Sequence, residues 1–245
     1  MLYLIGVGLH DERDITLKGL ETMQACERIC IELYTSKWKG KEALEERLRK
    51  TITELKRGDM EEGMGKLLED SRTRDVAVLV PGDPLVATTH VALFLEAKRL
   101  GVDVRVIHAP SVISAVASTG LSIYKFGKTC TLPRPQEGFA PLSFYDVILE
   151  NLRVGAHTLC LLDVGDRPMT VKEAVELLEA AEKEKRKGMI GETRKAVAAS
   201  FGETDVISYA TLAELKRTAM PTPAVLIIPA ELNDIEREML ENKAF

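Results

Sequence analysis

Apolar residues in the first half of the chain alternate between short continuous runs and stretches with helical spacing. The runs are LYLIGVG at 2–8, ICIELY at 29–34, DVAVLV at 75–80 and VDVRVIHAP at 102–110. Short apolar runs bounded by turn residues predict buried strands, and apolar residues three and four positions apart predict helices. Regular alternation of the two predicts a parallel sheet with helices on both faces.

Two of the intervening stretches predict amphipathic helices. We expect a helix over 15–29, with Thr16 or Asp14 as its cap. The segment 41–57 predicts one longer, charged helix, because its apolar residues share a helix face. These residues are Leu44, Leu48, Ile52 and Leu55.

The second half of the chain is also α/β, but its elements follow in a different order. The proline- and glycine-rich stretch 120–143 predicts an irregular loop. Two strand patterns, 195–201 and 205–210, follow each other without a helix, so they are candidates for antiparallel pairing. We predict two α/β domains, 1–112 with a mostly parallel sheet and 113–245 with a mixed sheet.

Composition narrows the classes of partner. The formal net charge is −5, and the sequence contains no lysine- and arginine-rich block, which disfavours nucleic-acid binding. No apolar stretch approaches the roughly 20 residues that a membrane span needs. The first residues, MLYLIGVGL, have no basic region of the kind that begins a signal peptide. We therefore expect a cytoplasmic protein without a membrane partner.

Cysteine and histidine usage predicts neither a disulfide framework nor a metal site. The four cysteines form no CxxC pair, so we interpret them as reduced thiols that fill small apolar spaces. They are Cys26, Cys30, Cys130 and Cys160. The four histidines show no metal-ligand spacing, and we predict no metal.

Glycines end the first predicted strand. Gly6 and Gly8 match two positions of a dinucleotide-binding fingerprint, and Glu32 lies where its acidic residue would fall. The third glycine position is Asp11, so the match is incomplete. The alternative is a tight strand-to-helix turn with no ligand. Both interpretations place the glycines at the sheet edge where open α/β folds bind ligands.

The tetrapeptide PGDP at 81–84 ends the third run. Pro84 disfavours the helical conformation at Asp83, Pro81 fixes its own φ angle, and Gly82 permits a positive φ. This stiff turn would aim Asp83 in one direction. The alternative is an acidic residue placed for the dipole of the following helix, which Thr88 or Thr89 could cap.

Two further strand ends carry polar residues. HAPSV at 108–112 leads into a short helix that Ser111 could cap. LLDVGD at 161–166 contains Asp163 and Asp166, which are either paired carboxylates or turn residues. Convergence of several strand ends at one edge would favour a small-molecule cleft.

Segments along most of the chain resemble the tetrapyrrole (precorrin-type) methylase family. PGDP is shared widely in that family, whereas PGDPLVATTH together with IHAPS and IYKFGK resembles its diphthine-forming branch. The matching segments are YLIGVGLHDERDIT at 3–16, YTS at 34–36, PGDPLVATTH at 81–90, IHAPSVISAV at 107–116, GLSIYKFGK at 120–128, YDVILENLRVGAHTLCLLDV at 145–164 and VLIIPAELN at 225–233. VAASFGE at 197–203, PAELN at 229–233 and the loop 129–141 depart from the usual family pattern.

The resemblance implies a homodimer of two-domain α/β chains that binds S-adenosylmethionine in a cleft between the domains. It implies repeated methylation of the amino group of a 3-amino-3-carboxypropyl-histidine on translation elongation factor 2, giving diphthine and S-adenosylhomocysteine. Carried over position by position, the implied cofactor contacts are Leu9, Asp83, Val86, Ser111, Val112, Leu162, Ser200 and Ala224.

Two alternatives remain open at this point. One is a methyltransferase of the same fold that acts on a corrin or on ribosomal RNA. The other is a non-catalytic regulator that binds a nucleotide on the same scaffold. Methyl transfer from a sulfonium chiefly requires alignment of the reacting atoms, so the lack of an obvious catalytic dyad is compatible with it. Neither the residues nor the resemblance assigns a general base.

Overall fold

A computed structural model describes residues 1–34, 36–61, 63–165 and 167–242. Thr35 and Asp166 are among the positions outside these ranges. The chain folds as two compact units, Met1–Ala115 and Val116–Phe245. The domain boundary predicted between 112 and 113 falls at the start of a short helix that closes the first unit, and it stays a prediction.

The first unit is built on a five-stranded parallel sheet, as the alternating pattern predicted. Its strands are β1 Leu2–Gly6, β2 Arg28–Glu32, β3 Ile52–Leu55, β4 Val76–Val80 and β5 Val104–Ile107. They lie in the order β3-β2-β4-β1-β5, and every pair is parallel. The central strand β4 is buried along its whole length.

Helices cover both faces of this sheet. They are α1 Leu17–Ala25, α2 Lys41–Leu48, α3 Arg57–Glu61, α4 Met64–Thr73, α5 Val91–Arg99 and α6 Val112–Ala115. Two clusters of buried apolar side chains, one containing Ile5 and Leu79 and the other Leu4 and Val78, reflect the two faces. Alternate residues of β1 and β4 divide between them, as expected for strands covered on both sides.

The single helix predicted over 41–57 is wrong. Helix α2 ends at Leu48, because Arg49 adopts a left-handed conformation with φ 53°. The chain then reverses into β3, where Ile52 pairs with Ile29 of β2. The amide of Ile52 also donates to Glu45 Oε1 at 2.6 Å. The apolar spacing of 52–55 fits a helix or a short strand, and pairing with a distant strand decides between them.

The second unit is built on a mixed sheet, also as predicted. Its strands are β6 Cys130–Leu132, β7 Thr158–Leu162, β8 Lys195–Ser200, β9 Val206–Thr211 and β10 Val225–Ile228. In the order β6-β7-β10-β8-β9, the first pair is parallel and the others are antiparallel. The prediction of an irregular loop over 120–143 misses the short strand β6, which is hydrogen-bonded to β7.

Four helices flank this second sheet in the described residues. They are α7 Ser143–Arg153, α8 Val171–Lys185, α9 Leu212–Leu215 and α10 Asp234–Glu241. Capping boxes begin three of them, with Thr170, Thr211 and Asn233 as the capping residues. Each box satisfies amides that would otherwise lack partners at the first turn. In the first unit, Thr16 caps α1 as predicted.

A buried polar network ties α10 to the segment 122–128 and to the start of β7. Glu236 Oε1 accepts from the Ser122 amide and lies 3.1 Å from His157 Nε2, while Oε2 accepts from Lys125 Nζ at 2.8 Å. Burial raises the pKa of Glu236, but its hydrogen bonds from Lys125, the Asn233 amide, His157 and Ser122 outweigh burial and bring the pKa to about 2. The carboxylate is therefore ionised throughout the neutral range.

The four thiols are buried and unbridged. Burial raises the pKa of Cys26 to about 11 and also raises that of Cys30. Cys130 and Cys160 face each other across β6 and β7 with their Sγ atoms 3.6 Å apart. In the part of the chain that the structure describes, no helix is long and apolar enough to cross a membrane.

Candidate functional site

The ends of β1 and β4 meet through their glycines. The Gly82 amide donates to the Gly8 carbonyl at 2.7 Å, and the Gly8 amide donates to the Gly82 carbonyl at 3.3 Å. Gly82 has φ 70°, a positive value that glycine permits in the PGDP turn. A Cβ atom at Gly6 would lie 2.5 Å from the Gly82 carbonyl oxygen and 2.8 Å from Ala109 Cβ. The three strand ends therefore converge, as predicted, and their closeness requires glycine.

Turn chemistry accounts for the polar residues that follow β1. The amides of Leu9 and His10 donate to Asp14 Oδ2 at 2.9 and 2.8 Å. Asp11, which stands where a dinucleotide fingerprint has its third glycine, accepts from the Arg13 amide at 3.0 Å. A side-chain hydrogen bond from Arg13 lowers the pKa of Asp11. The geometry thus supports the tight-turn alternative for these glycines, and it shows that Asp14 braces the loop instead of capping α1.

Asp83 joins the PGDP turn to the loop after β5. Its side chain is only 7% exposed. Oδ2 lies 2.7 Å from His108 Nδ1 and accepts from the Ala109 amide at 3.4 Å, while Oδ1 accepts from the Leu85 amide at 3.1 Å. Helix α5 begins only at Val91, so the helix dipole does not explain Asp83. The carboxylate is a fixed acceptor between two strand ends.

The predicted capping of α5 by Thr88 or Thr89 is wrong. His90 is the capping residue by position, and its side chain makes no capping hydrogen bond. Thr88 Oγ1 instead hydrogen-bonds to His90 Nδ1. His90 Nε2 lies 3.8 Å from Glu32 Oε1, with both side chains almost fully buried, and burial lowers the pKa of His90 to about 4. Glu32 is therefore buried against His90, the residue that precedes α5.

Sequence reasoning missed the backbone conformation of Ala87, which has φ 53°. Non-glycine residues rarely adopt this left-handed region, and such residues are concentrated at functional loops. The small side chain in a run of loop residues is the only signal in the sequence.

Ser111 is buried immediately before α6, where its backbone hydrogen-bonds to the first turn of the helix. The Ser111 amide donates to Ser114 Oγ at 3.1 Å, and the Ser111 carbonyl accepts from the amides of Ser114 and Ala115. Ser111 Cβ would lie 3.7 Å from a Cβ at Gly82, so this loop borders the PGDP turn. Val112 follows it as the first residue of α6.

The three implied cofactor contacts of the second unit gather at one edge of its sheet. Leu162 is the last residue of β7 and Ser200 the last of β8, and Ala224 immediately precedes β10. The register Val225 to Leu161 and Val225 to Ala199 brings these ends side by side. Ser200 Oγ donates to the Pro223 carbonyl at 2.8 Å.

The alternative of paired carboxylates after β7 finds no support at Asp163. Its Oδ1 accepts from the Gly165 amide at 2.9 Å, and Oδ2 accepts from the Arg134 amide at 2.8 Å. These are bonds of a turn and of the neighbouring loop. The proposed partner, Asp166, lies outside the described residues.

The chemistry of the implied contacts fits an adenosyl sulfonium such as S-adenosylmethionine. Nucleoside-sized ligands bind in mainly apolar sites with a few fixed polar groups. In the first unit a buried carboxylate at Asp83 lies near the loop of Ser111, and in the second unit the buried Ser200 lies at the end of β8. Each carboxylate oxygen can accept more than one hydrogen bond, so Oδ1 of Asp83 keeps acceptor capacity beyond the Leu85 amide. No cluster of potential metal ligands occurs among the described residues.

Comparison with known proteins places these features in a family context. Residues 1–199 match the family model described as Tetrapyrrole (Corrin/Porphyrin) Methylases. The chain is 42% identical to the diphthine synthase of Methanococcus maripaludis strain C5, with 98% of each chain covered, and 41% identical to that of Methanocaldococcus jannaschii, again with 98% of each covered. A crystal structure of diphthine synthase superposes with a TM-score of 0.88 at 36% identity, covering 98% of this chain and 94% of the other.

Proposed function

Because this chain belongs to the tetrapyrrole methylase family, we propose that it is a methyltransferase that carries out the diphthine synthase reaction. Its substrates are S-adenosylmethionine and the 3-amino-3-carboxypropyl-histidine of translation elongation factor 2. The amino group is methylated repeatedly to give diphthine, and S-adenosylhomocysteine is released. Identity of about 40% to diphthine synthases over nearly the whole chain is the observation that carries this proposal.

Residues from both units hold the methyl donor in this proposal. The apolar contacts are Leu9, Val86 and Val112 in the first unit and Leu162 and Ala224 in the second, with polar contacts from Asp83, Ser111 and Ser200. Support comes from the way each sheet gathers its own set at one edge. The departures at 197–203 and 229–233 alter side chains near Ser200 and after β10, whereas contacts made by the backbone tolerate such changes.

The protein's task in this reaction is mainly one of placement. S-adenosylmethionine supplies a methyl group already activated for displacement. Alignment of a nucleophile with such a group can contribute about 7–11 kcal/mol to lowering the barrier. The hydrogen bonds of the Asp83 carboxylate to the amides of Leu85 and Ala109 fix its position before any ligand arrives. The rigid carboxylate is suited to holding a polar group of the donor, and the accepting amine must be neutral when it reacts.

The proposal includes the setting in which the enzyme works. Its macromolecular partner is elongation factor 2, which belongs to the cytoplasm, and we propose that the enzyme acts there as a homodimer without nucleic acid or membrane. The resemblance to the diphthine-forming branch supports the dimer. Light scattering of the purified protein tests this point, since a mass of one chain in solution would contradict it.

Labelled methyl transfer tests the function. The purified protein is incubated with S-adenosylmethionine carrying a labelled methyl group and with elongation factor 2 that bears the modified histidine. Label is expected in that protein and not in the matched control, elongation factor 2 with unmodified histidine. Parallel reactions contain a corrin and ribosomal RNA. Label in either of these alone would favour the related methyltransferases, and cofactor binding without any transfer would favour a non-catalytic regulator.

A further inference from the structure

The imidazole of His108 is anchored at one end and open at the other. Its side chain is 71% exposed, whereas the Asp83 side chain beneath it is 7% exposed. The two are joined by a contact of 2.7 Å between His108 Nδ1 and Asp83 Oδ2. Exposed side chains are usually free to rotate, but this ring is tied to an acceptor that is itself fixed by two backbone amides.

This contact selects the tautomer of the ring. An ionised carboxylate only accepts hydrogen bonds, so His108 Nδ1 carries the hydrogen and donates it to Asp83. In the neutral ring the other nitrogen, Nε2, then holds a lone pair. A carboxylate that orients a histidine and stabilises its protonated form is the arrangement found behind many general bases.

The proposed reaction needs a proton acceptor at every round. A primary aliphatic amine is mostly protonated at neutral pH, and the ammonium form has no lone pair for attack. Methylation of a primary or secondary amine returns a protonated amine, so a proton must leave again before the next transfer. A group that takes up and releases protons near neutral pH suits this cycle, and histidine is the side chain that does so.

Two other titratable groups near these strand ends already have partners. Asp14 accepts the amides of Leu9 and His10. Glu32 is buried against His90. Among the described residues, the titratable group in hydrogen-bond or ion-pair contact with the His108 ring is Asp83.

We propose that His108 is the proton acceptor for methyl transfer, an inference that rests on the proposed function. Nε2 takes a proton from the substrate ammonium. The freed nitrogen lone pair then forms the bond to the methyl carbon while the carbon–sulfur bond breaks and its electrons stay on sulfur, leaving a neutral thioether. The exposed imidazolium releases its proton to solvent and is ready for the next round.

Two kinds of measurement on the full chain test this assignment. The first is activity: in His108→Gln, kcat is expected to fall roughly 10²-fold, the usual scale of general-base catalysis, with little change in S-adenosylmethionine affinity. The wild-type rate should rise with pH as His108 loses its proton. In the variant this rise should disappear, and the rate should climb only at higher pH with the amine's own ionisation. Added imidazole should partly restore His108→Ala and leave the wild type unchanged.

The second measurement reads the state of the ring in the free protein. Nuclear magnetic resonance of the histidines without cofactor, assigned by the signal missing from His108→Gln, should show hydrogen on Nδ1 of the neutral ring. The titration midpoint of that ring should match the midpoint of the pH–rate profile. A hydrogen on Nε2, or midpoints that differ, would overturn the assignment.

His10 provides a matched histidine at the same sheet edge, with Nε2 3.9 Å from Asp11 Oδ2. His10→Gln is expected to keep the wild-type pH profile. A profile that shifts in His10→Gln and not in His108→Gln would overturn the proposal, as would wild-type rates and pH dependence in His108→Gln. If the wild type transfers no methyl group to the modified factor, the proposed function itself fails and this inference falls with it.

Discussion

Gly6 packs against Gly82 so closely that a single added carbon would not fit. The position of a Cβ at Gly6 is 2.5 Å from the Gly82 carbonyl oxygen, which is backbone and cannot turn aside. We expect Gly6→Ala to destabilise the protein by about 1–3 kcal/mol, the usual cost of overpacking, and to weaken cofactor binding by separating the two strand ends. Urea unfolding and calorimetry measure the two effects.

Gly65 provides the control for this substitution. It is exposed in the first turn of α4, and no atom lies within 4 Å of the Cβ that alanine would add. Gly65→Ala should therefore be neutral or stabilise the helix by roughly 0.5–1 kcal/mol. Equal stability of the two variants would contradict the close contact at Gly6.

Asp83→Ala should weaken S-adenosylmethionine binding more than it alters the fold. The substitution removes the acceptor shared by Leu85, Ala109 and His108, and leaving such donors without partners costs about 1–3 kcal/mol each at most. Asp83→Asn keeps an oxygen acceptor and is the milder comparison. Calorimetry that finds unchanged affinity in Asp83→Ala would count against the role of this carboxylate.

Glu236 should make stability depend on pH at the acidic end. Its pKa lies at about 2, below the ordinary 4.5 of a glutamate. The ionised Glu236 therefore contributes its full share to the free energy of unfolding above pH 4.5, and this share is lost as the pH falls towards 2. Glu236→Gln should cost about 3 kcal/mol at pH 7, because it leaves Lys125 and His157 without their charged partner. The difference from wild type should shrink below pH 4.

The exposed Glu238, two positions along the same helix, offers a matched comparison. Glu238→Gln should leave the unfolding free energy nearly unchanged at every pH, since exposed carboxylates on a helix surface contribute within about 0.5 kcal/mol. A constant gap between wild type and Glu236→Gln from pH 7 to pH 3 would argue against an ionised, hydrogen-bonded Glu236.

The buried thiols should be unreactive in the folded protein. Burial raises the pKa of Cys26 to about 11 and also raises that of Cys30, while the hydrogen bond with Cys130, together with burial, raises the pKa of Cys160. The thiolate is the reactive form of a cysteine. At pH 8 a disulfide reagent should react only slowly with the native protein. After denaturation it should react rapidly with all four thiols. Rapid reaction of the native protein would contradict the burial of these side chains.

Local sequence patterns predicted those parts of the fold that depend on neighbouring residues alone. The apolar run of β4, the Thr16 cap and the positive φ of Gly82 follow from neighbouring residues alone. Strand β3 escaped prediction because Ile52 and Leu55 satisfy a helical spacing equally well, and only pairing with β2 makes them a strand. The short strand β6 escaped because it lies in a proline- and glycine-rich stretch that predicts a loop, and only pairing with β7 makes it a strand.

The candidate site also has parts that the local sequence predicts and parts that it does not. The PGDP turn marks its acidic residue locally, since two prolines and a glycine restrict the backbone around Asp83. The partner of that acid could not be found from spacing, because His108 is reached only when the parallel sheet brings the ends of β4 and β5 together. The left-handed Ala87 likewise depends on the closed loop around it.

The central claim is that this chain methylates the amino group of the modified histidine on elongation factor 2. The most direct measurement is mass spectrometry of the peptide that carries this histidine, after reaction with S-adenosylmethionine whose methyl group is deuterated. We predict successive mass increases of one deuterated methyl each, with fragment ions that locate every label on the amino nitrogen of the side chain. An unchanged peptide mass, or labels on any other atom, would contradict the claim.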